Sequence, residues 1–490
     1  MTQITRRQLV KGSIAAKLGL TLVTPTSRVL GANDDIRVAV VGINGRGGSH
    51  ISAFGEMKGV RLVALCDVDR KVLDNKAQAL EKKSGQKVER YVDIRKLLES
   101  KEIDAISLAT PNHWHSLATI WACQAGKDVY VEKPCSHNSF EGRKCLEAAR
   151  QYKRIVQHGT QSRSSKNWAQ QVAAIASGKY GKLLVSKAAA SKNGSGRWSI
   201  GFKPIKEPPE NLDYNLWLGP APQQPFHENL VHYNWHWFWD FGNGEIGNQG
   251  VHQMDIARWA IPGGTLPRSV ISMGGRWVNS TEGHPPYTDQ AQTPNCQLTI
   301  MDFGGPLLVF EVIGLVDRVG QDGKKYPANV GNEFYLEAGA IKGGKFYPKG
   351  SDKAEDLVAV DVALGPGNHF ENFIHAMRTR KIEDLNADIA VGHLSSTCCQ
   401  LGNISYRLGK QVIGSTKPDV FGRHEEIAKS WDKVTETVKG AIGYDLAKST
   451  YQLGPMLKFD PQTERFVDNT QADLLLTRPY RQPFLVPKSV

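Results

Sequence analysis

The sequence lacks the features that would assign it to a membrane, metal-binding or nucleic-acid-binding class. After the first thirty residues no stretch approaches about eighteen apolar residues, so we expect no integral membrane span. The seven cysteines form no CxxC pair of the kind that binds metals. The formal net charge of +12 is scattered, so no nucleic-acid partner is indicated. A chain of 490 residues is instead typical of a globular protein with two domains.

The first 32 residues resemble a twin-arginine export signal. Arg6 and Arg7 precede a weakly apolar stretch, residues 12–23, and small residues near Gly31 and Ala32 offer a cleavage region. Mostly free cysteines fit this route, because they indicate folding in a reducing compartment and the route moves folded proteins. We therefore expect residues 1–32 to be a signal and the mature protein to be periplasmic or extracytoplasmic. An ordinary basic N-terminal tail is the alternative.

A strand, a glycine-rich turn, a helix and a second strand follow in the order of a dinucleotide-binding domain. Residues 36–41 are apolar and mostly β-branched, as in a buried parallel strand. The turn at residues 42–48 reads GINGRGG, and the second strand, residues 60–65, runs up to Asp67. Amide groups at the start of the helix can hold a pyrophosphate. An acid at position 67 can bind ribose hydroxyls and repel a 2′-phosphate, which favours NAD over NADP.

One position in this turn departs from the fingerprint. Asn44 stands where the second glycine is usual. Asparagine tolerates left-handed backbone angles better than most residues, so we expect the turn to survive the change. A merely structural glycine loop is the alternative, but the order of strand, turn, helix, strand and acid favours cofactor binding.

Strand and helix patterns continue to alternate as far as residue 160. Strands are predicted at residues 105–109, 129–131 and 155–157, with helices between them, which indicates an α/β fold with a doubly wound parallel sheet. Ligands bind at the carboxyl edge of such sheets. We therefore predict an NAD-binding Rossmann domain over residues 33–160. Its predicted cofactor-binding residues are Gly42, Asn44, Gly45, Arg46, Gly47, Asp67, Thr110, Asn112, His115, Glu132 and Lys133.

An ordered set of motifs resembles the glucose–fructose oxidoreductase and inositol dehydrogenase family (Gfo/Idh/MocA), in an exported branch. The motifs, spread over roughly residues 35–410, are Gly42-x-Asn44-x-x-Gly47-x-x-His50, Thr110-Pro111-Asn112-His113, Gly126-Lys127-Asp128-Val129, Glu132-Lys133-Pro134 and Gly250-Val251-His252 followed by Asp255. The resemblance implies a second α/β domain, residues 161–410, with a large, mostly antiparallel open sheet. In the family that sheet commonly joins copies, so a homo-oligomer, a dimer or a tetramer, is expected. Residues 411–490 extend beyond the family core, either wrapping a neighbour or staying loosely ordered.

The resemblance also implies the catalytic residues, Lys133 and His252. The family's lysine lies beside nicotinamide and substrate, where an ammonium can orient a hydroxyl and exchange its proton. The imidazole has a pKa range that suits proton removal from an alcohol. The family carries Asp four residues before this histidine, whereas this chain has Asn248, which can bind a sugar hydroxyl but carries no charge. Asp255 and Asp240 are the candidates for the missing charge.

Aromatic residues are concentrated at residues 233–241. At strand spacing Trp235, Trp237, Trp239 and Phe241 would share one face, and His236 would lie on the other. Core packing accounts for most of these tryptophans, and His236 is the best candidate for a sugar ligand. The predicted substrate-binding residues are Gln161, Arg163, His236, Asn248 and Asp255. No metal is predicted, because the spacing of His232, His236 and His252 matches no metal signature.

These features favour NAD-dependent hydride transfer from a sugar, sugar derivative or cyclitol, with His252 or Lys133 handling the proton. A redox-neutral glycoside hydrolase or epimerase-like enzyme with tightly bound NAD is the alternative. Asn248 supports it, and so does export, because a cofactor that is scarce outside the cell must stay bound. A non-catalytic ligand-binding protein is the third hypothesis.

Overall fold

A computed structural model describes residues 35–85, 87–194 and 196–490, and its first domain is built on a six-stranded parallel sheet. The predicted export signal lies outside the described residues. The strand order is β3-β2-β1-β4-β5-β6, so the order reverses between β1 and β4, at the switch point where such sheets bind ligands. The strands are β1 (Ile36–Val41), β2 (Val60–Cys66), β3 (Glu89–Tyr91), β4 (Ala105–Leu108), β5 (Asp128–Val131) and β6 (Val156–His158).

Helices cover both faces of this sheet. Those of the first domain are α1 (Arg46–Gly55), α2 (Arg70–Ser84), α3 (Ile94–Glu99), α4 (Asn112–Gln124) and α5 (Ser139–Gln151). Apolar side chains of α3, α4 and α5 pack on one face, and those of α1 and α2 pack on the other. Strand β3 and helix α3 were not predicted. Helix α4 begins earlier than expected, so Asn112 and His113 belong to its first turn and not to a loop.

The second domain contains an eleven-stranded sheet that is mostly antiparallel. Its main path runs β13-β12-β11-β7-β10-β9-β8-β15-β14, β16 pairs with β8, and β7 pairs with β10 in parallel. The strands are β7 (Leu183–Ser191), β8 (Ser269–Gly275), β9 (Cys296–Asp302), β10 (Leu307–Ile313), β11 (Asn329–Leu336), β12 (Gly339–Lys342), β13 (Lys345–Pro348), β14 (Lys410–Ile413), β15 (Thr450–Leu453), β16 (Leu457–Asp460) and β17 (Arg465–Phe466). The predicted fold class is confirmed.

Helices also lie on both faces of the second sheet. The helices that follow the first domain along the chain are α6 (Lys166–Ala176), α7 (Tyr214–Leu218), α8 (Gly244–Gly247), α9 (Gly250–Trp259), α10 (His369–Thr379), α11 (Ile389–Arg407), α12 (Glu425–Ile442) and α13 (Thr470–Leu474). Helices α6, α9 and α11 pack on the inner face, α12 packs on the outer face, and α10 packs on the first domain. In the described part of the chain, no helix combines the length and the apolar character needed to cross a bilayer.

The chain beyond residue 410 packs against both domains of the same molecule. Strands β14, β15 and β16 extend the second sheet, and Trp431 of α12 is buried on its outer face. Phe484 and Val486 lie in the core of the first domain, where the ring of Phe484 contacts that of Trp114 at a centroid distance of 5.5 Å. Trp431, Phe484 and Val486 of this region are therefore buried within one chain, which differs from the expectation of a loosely ordered tail.

The predicted strand at residues 233–241 is wrong. Residues Asn234–Trp237 form a short 3-10 helix, followed by an irregular turn. Trp237 is buried, and the ring of Trp235 stacks on His236 at a centroid distance of 3.6 Å. A tight helical turn can bury closely spaced aromatic rings as well as a strand does, so alternation over so few residues did not decide between them.

Candidate active site

A cavity of about 520 Å³ lies where the carboxyl edge of the first sheet meets the second domain. Most predicted site residues line it, namely Gly42, Asn44, Gly45, Arg46, Asp67, Thr110, Asn112, His115, Glu132, Lys133, Gln161, His236, Asn248 and His252. The other three predicted site residues, Gly47, Arg163 and Asp255, are not among the described residues that line the cavity. The volume is in the range of natural small-molecule sites.

The glycine-rich turn is held close to the next strand by two glycines. Gly42 has a φ of +77°, and a Cβ there would lie 2.7 Å from the amide nitrogen of Thr110. A Cβ at Gly47 would lie 2.0 Å from the carbonyl oxygen of Gly42. The second left-handed residue of the turn is Gly45, with a φ of +55°. Asn44 is therefore not required to adopt left-handed angles, and the reason given above for its tolerance was wrong.

Asp67 closes the other side of the predicted nucleotide groove. Its two carboxylate oxygens accept hydrogen bonds from the amides of Ile43, at 2.9 Å, and Asp69, at 3.0 Å. Burial raises the pKa of Asp67, and these two amide donors oppose that rise. Each carboxylate oxygen can accept a further hydrogen bond, so the group can also bind ribose hydroxyls.

Unpaired polar atoms in the groove fit a bound dinucleotide. Thr110 Oγ1 and Asn112 Nδ2 are buried, and neither has a hydrogen-bond partner in the part of the chain that the structure describes. Buried polar atoms normally have partners, so both atoms are suited to bind a ligand. Together with the glycine turn and Asp67, they make the groove fit NAD.

His115 joins the two loops on which the polar site residues sit. Its Nδ1 lies 2.6 Å from the carbonyl oxygen of Pro134, and its Nε2 lies 2.8 Å from that of Thr110. Burial lowers the pKa of His115. The ring therefore spans from the end of β4 to the loop after β5, which fixes the loop that carries Lys133.

Glu132 is an anchor beneath the cavity. It accepts hydrogen bonds from Arg46 Nε at 2.7 Å and from the amide of Lys133 at 3.2 Å, and its carboxylate lies 3.1 Å from His50 Nε2. Burial alone would raise its pKa, but the hydrogen bond with His50 and the charges of Arg46 and Lys133 hold that pKa well below the usual value. Glu132 thus stays ionised and orients the loop before Pro134.

Lys133 meets Asn248 across the interface of the two domains. Its Nζ donates to the backbone oxygen of Asn248 at 2.9 Å and to Oδ1 at 3.3 Å. Burial lowers the pKa of Lys133, although the carboxylates of Glu132 and Glu245 act in the opposite direction. This amine is therefore easier to deprotonate than a lysine in solvent.

His252 lies on the same cavity as Lys133, in the first turn of α9. Burial and the nearby charge of Lys133 lower its pKa to about 3, so the ring is neutral at pH 7. Within the described chain its Nδ1 has no hydrogen-bond partner. The neutral ring is therefore available to bind a hydroxyl group.

Arg163 and Asp255, both predicted to bind substrate, are occupied by each other. Asp255 accepts from Arg163 Nε at 2.8 Å and from its terminal nitrogen at 3.0 Å, and also from Ser395 at 2.7 Å. The guanidinium stacks over Trp259 at 4.3 Å. Both side chains are buried, so the pair stabilises the second domain rather than facing the cavity.

The carboxylate behind Asn248 is Glu245, which the sequence analysis missed. Its side chain pairs with Arg197 at 2.7 Å and accepts from Asn248 Nδ2 at 3.3 Å. Neither expected source of charge is in this position, because Asp255 is held by Arg163 and Asp240 accepts from Gln224 at 3.2 Å. Glu245 stands three residues before Asn248. The sequence signal that could have identified it is an acidic residue in a glycine-rich segment.

Residues 209–232, which we call the strap, cover the groove beside Asp67. The strap adds an antiparallel bridge to the start of α2, where Arg70 N donates to Asn211 O at 2.9 Å and Asp213 N donates to Val68 O at 3.0 Å. The strap residues that line the cavity are Leu212, Leu216, Trp217 and His232. The sequence alone did not predict this cover, because the contacts of the strap are distant in sequence.

Metal ligation receives no support from the described residues. None of their His, Cys, Asp and Glu side chains form a group of three that could hold an ion. His232 instead lies against Asp69, and His236 Nδ1 lies 2.5 Å from the carbonyl oxygen of Tyr233.

Two sequence profiles of one oxidoreductase family match the two domains. The NAD-binding Rossmann fold of the family matches residues 36–160, and its C-terminal alpha/beta domain matches residues 185–270. These two regions belong to the Gfo/Idh/MocA oxidoreductase family. The first domain is therefore an NAD-binding Rossmann domain, as predicted.

Curated relatives of this family member are similar over part of their length. A glycosyl hydrolase family 109 protein of Shewanella baltica is 34% identical over 105 residues, which are 21% of this chain and 23% of that protein. An alpha-N-acetylgalactosaminidase of Shewanella oneidensis is 33% identical over 103 residues, 20% of this chain and 22% of that protein. The matches thus span less than a quarter of these relatives.

Solved structures share the fold of this family member at low identity. The WlbA dehydrogenase of Bordetella pertussis, in complex with NADH and UDP-GlcNAcA, has a TM-score of 0.52 at 18% identity, covering 76% of this chain and 97% of that one. A levoglucosan dehydrogenase in complex with NADH and L-sorbose has a TM-score of 0.52 at 16% identity, covering 75% of this chain and 96% of that one. Both have the two-domain architecture described above.

Proposed function

We propose that the protein is an NAD-dependent oxidoreductase that removes a hydride from a carbinol carbon of a sugar, sugar derivative or cyclitol. The observation that carries the proposal is that the glycine-rich turn, Lys133 and His252 line one cavity. Beside them lie the aromatic rings of Tyr233 and Trp235 and the amide of Gln161. Such a mixture suits a sugar ring, whose C–H faces are apolar and whose hydroxyls are polar.

Bound NAD⁺ supplies a hydride acceptor, and the residues of the chain handle the hydroxyl proton. Lys133 is the proposed proton acceptor, because burial lowers the pKa of its amine towards the range in which a base works near neutral pH. His252, with a pKa of about 3, is too weak a base for this step. Its neutral ring holds the hydroxyl by a hydrogen bond. The hydroxyl proton passes to the amine as the carbon loses its hydride, which leaves a carbonyl group.

A redox-neutral glycoside hydrolase is the second candidate, in which the hydride returns to the sugar before the products leave. Two observations favour it. The Shewanella relatives carry glycosidase names, although the matches cover only part of their length. The strap covers the groove beside Asp67, and a retained cofactor suits a closed cycle.

Turnover of a substrate panel separates these candidates. The purified holoprotein is mixed with free sugars, cyclitols and aryl glycosides, and NADH absorbance and aglycone release are followed together. Net NADH without aglycone release supports the dehydrogenase. Aglycone release without net NADH supports the hydrolase. No turnover, together with no NAD released on denaturation, overturns both and leaves a ligand-binding protein.

We also propose that residues 1–32 direct export through the twin-arginine route to the periplasm or another extracytoplasmic space. Support comes from the paired Arg6 and Arg7 and from the cysteines, which are all free and buried in the folded chain.

A further inference from the structure

The side chain of Asn248 bridges an ammonium group and a buried carboxylate. Its Oδ1 accepts from Lys133 Nζ at 3.3 Å, and its Nδ2 donates to Glu245 Oε2 at 3.3 Å. A side-chain amide can make both contacts, because it carries an acceptor and a donor on one carbon. Two charged groups of opposite sign are therefore joined through one neutral residue.

Glu245 is a fixed charge behind the cavity wall. Its side chain is 1% exposed and pairs with Arg197, whose side chain is 4% exposed, at 2.7 Å. Among the residues that the structure describes, neither belongs to the cavity lining, which does include Asn248. Glu245 therefore touches the cavity lining through its hydrogen bond with Asn248, and its charge also acts through space on Lys133.

An aspartate at position 248 would conflict with this arrangement. It would place a second carboxylate about where Asn248 Nδ2 now meets Glu245, 3.3 Å away. Two carboxylates at such a distance cannot both ionise and instead share one proton. The acid of the family pattern and Glu245 thus exclude each other, and this chain carries its acid roughly one helical turn earlier.

We propose that Glu245 is a positioning residue, which holds the amine of Lys133 through Asn248 and supplies the negative charge that the family pattern carries at position 248. This inference rests on the proposed role of Lys133 as proton acceptor. The other charged and titratable groups around that amine are Glu132, Arg46, Arg197, His115, His158, His236, His252 and Cys399. Glu132 is already engaged by Arg46 and His50.

The test compares Glu245→Gln, Asn248→Asp and the double variant, which returns the acid to position 248. The first readout is the apparent pKa of Lys133, measured by competitive acetylation with acetic anhydride over a pH series and mass spectrometry of the labelled peptide. We expect Glu245→Gln to lower this pKa by about one pH unit, because an opposite charge is removed. The double variant should recover most of the shift, whereas Asn248→Asp alone should not raise the pKa.

The second readout is turnover on whichever substrate the holoprotein accepts. We expect Glu245→Gln to lower kcat about tenfold with little change in KM, because the amine is displaced while the sugar still binds. The double variant should recover most of the loss. The matched control is Glu311→Gln, since Glu311 is equally buried, pairs with Lys433 at 2.6 Å and lies outside the described cavity lining. It should leave both readouts unchanged.

Several outcomes would overturn the proposal. An unchanged Lys133 labelling profile in Glu245→Gln does so, as does loss of kcat that the double variant fails to recover. If Glu245→Gln does not fold, Asn248→Leu breaks the bridge while leaving the Glu245–Arg197 pair intact, and the absence of a downward shift there is equally decisive. If no sugar is turned over, the labelling profile still shows whether Glu245 affects the pKa of Lys133. Failure of this inference can therefore be distinguished from failure of the proposed function.

Discussion

The imidazole of His232 lies 3.1 Å from the carboxylate of Asp69, and this contact fastens the end of the strap to the residue that caps α2. At the start of the strap, Asn211 Nδ2 donates to the other oxygen of the same carboxylate at 2.7 Å. Both ends of a segment that covers the cofactor groove are thus tied to one buried acid. We therefore expect the strap to move when a cofactor enters or leaves beside Asp67.

Release of NAD should depend on these two ties. The double variant His232→Ala/Asn211→Ala removes one hydrogen bond and one close imidazole–carboxylate contact, each worth about 1 kcal/mol, and should release NAD at least about tenfold faster. The rate is measured by dilution of the holoprotein into an enzyme that consumes free NAD. Lys206→Ala, which breaks only the exposed pair with Glu228, is the control. Equal rates in all three proteins would show that the strap does not retain the cofactor.

The two proposed catalytic residues should differ in how much activity they contribute. Lys133→Met removes the proton acceptor and should lower kcat by about a thousandfold, within the usual range for general bases. His252→Asn keeps a hydrogen-bonding group and should cost about tenfold. Steady-state kinetics on the same substrate measure both, with NAD content per chain as the check on folding. The reverse order would assign the proton to His252.

Asp67 should determine the preference between the two nicotinamide cofactors. Its carboxylate repels a 2′-phosphate, so we expect the wild-type apoprotein to bind NADPH at least about a hundredfold more weakly than NADH. Asp67→Asn keeps an acceptor for the Ile43 amide. It should reduce the ratio of the NADPH Kd to the NADH Kd about tenfold. Fluorescence titration with each reduced cofactor gives the two Kd values. Asp74→Asn, an exposed acid on α2, should leave the ratio unchanged.

The contact between His393 and Glu464 should make stability depend on pH. Burial would raise the pKa of Glu464, but hydrogen bonds with His393 and Arg143 lower it to about 2, from a usual value of 4.5. A carboxylate with a lowered pKa stabilises the folded state above its usual pKa, and this stabilisation is lost as the pH falls through 2.

Glu464→Gln should therefore lower the free energy of unfolding by about 1–2 kcal/mol at pH 7, because solvent screens part of the interaction, and the difference should shrink between pH 4.5 and 2. Urea unfolding followed by tryptophan fluorescence at several pH values measures this. Glu425→Gln, whose side chain is 70% exposed, should have little effect. A difference that stays constant as the pH falls would contradict the assignment.

The export proposal predicts a strict requirement for the arginine pair. A reporter fused behind residues 1–40 should appear in the periplasmic fraction of a bacterium that has twin-arginine translocation. Replacing Arg6 and Arg7 by lysine should return the reporter to the cytoplasm, although the charge is unchanged. Lys11→Ala, which removes charge outside the pair, is the control, and export of the lysine variant would contradict the prediction.

Local patterns predict most of the first domain because its determinants are close in sequence. The apolar run of β1 and the glycines at positions 42 and 47 are set by neighbouring backbone, and the structure has them as predicted. Strand β3, with the sequence ERY, carries no apolar pattern and was missed. Alternating aromatic residues at 233–241 fit a strand and a helical turn equally well, which is why that prediction failed.

The sequence predicted which residues belong to the candidate site, but it did not predict which of them contact each other. Lys133 and His252 follow from motifs, whereas the pair of Arg163 with Asp255 joins residues 92 positions apart that have no local signal. Arg163 was assigned to the substrate from its place at the end of the first domain, and Asp255 from its place in a family motif, although each neutralises the other. Glu245 was visible in the sequence, but its partner Arg197 lies 48 residues away, so its role depended on the fold.

Helix α12 has a consequence for how copies of this chain could associate. Its apolar side occupies the outer surface of the eleven-stranded sheet, where Ile427, Trp431 and Val438 pack against strand residues such as Leu298. Back-to-back stacking of two such sheets would first require both helices to detach and expose their tryptophans to water. A dimer or tetramer of this protein therefore has to be built through a different surface, such as the polar side of α12 itself.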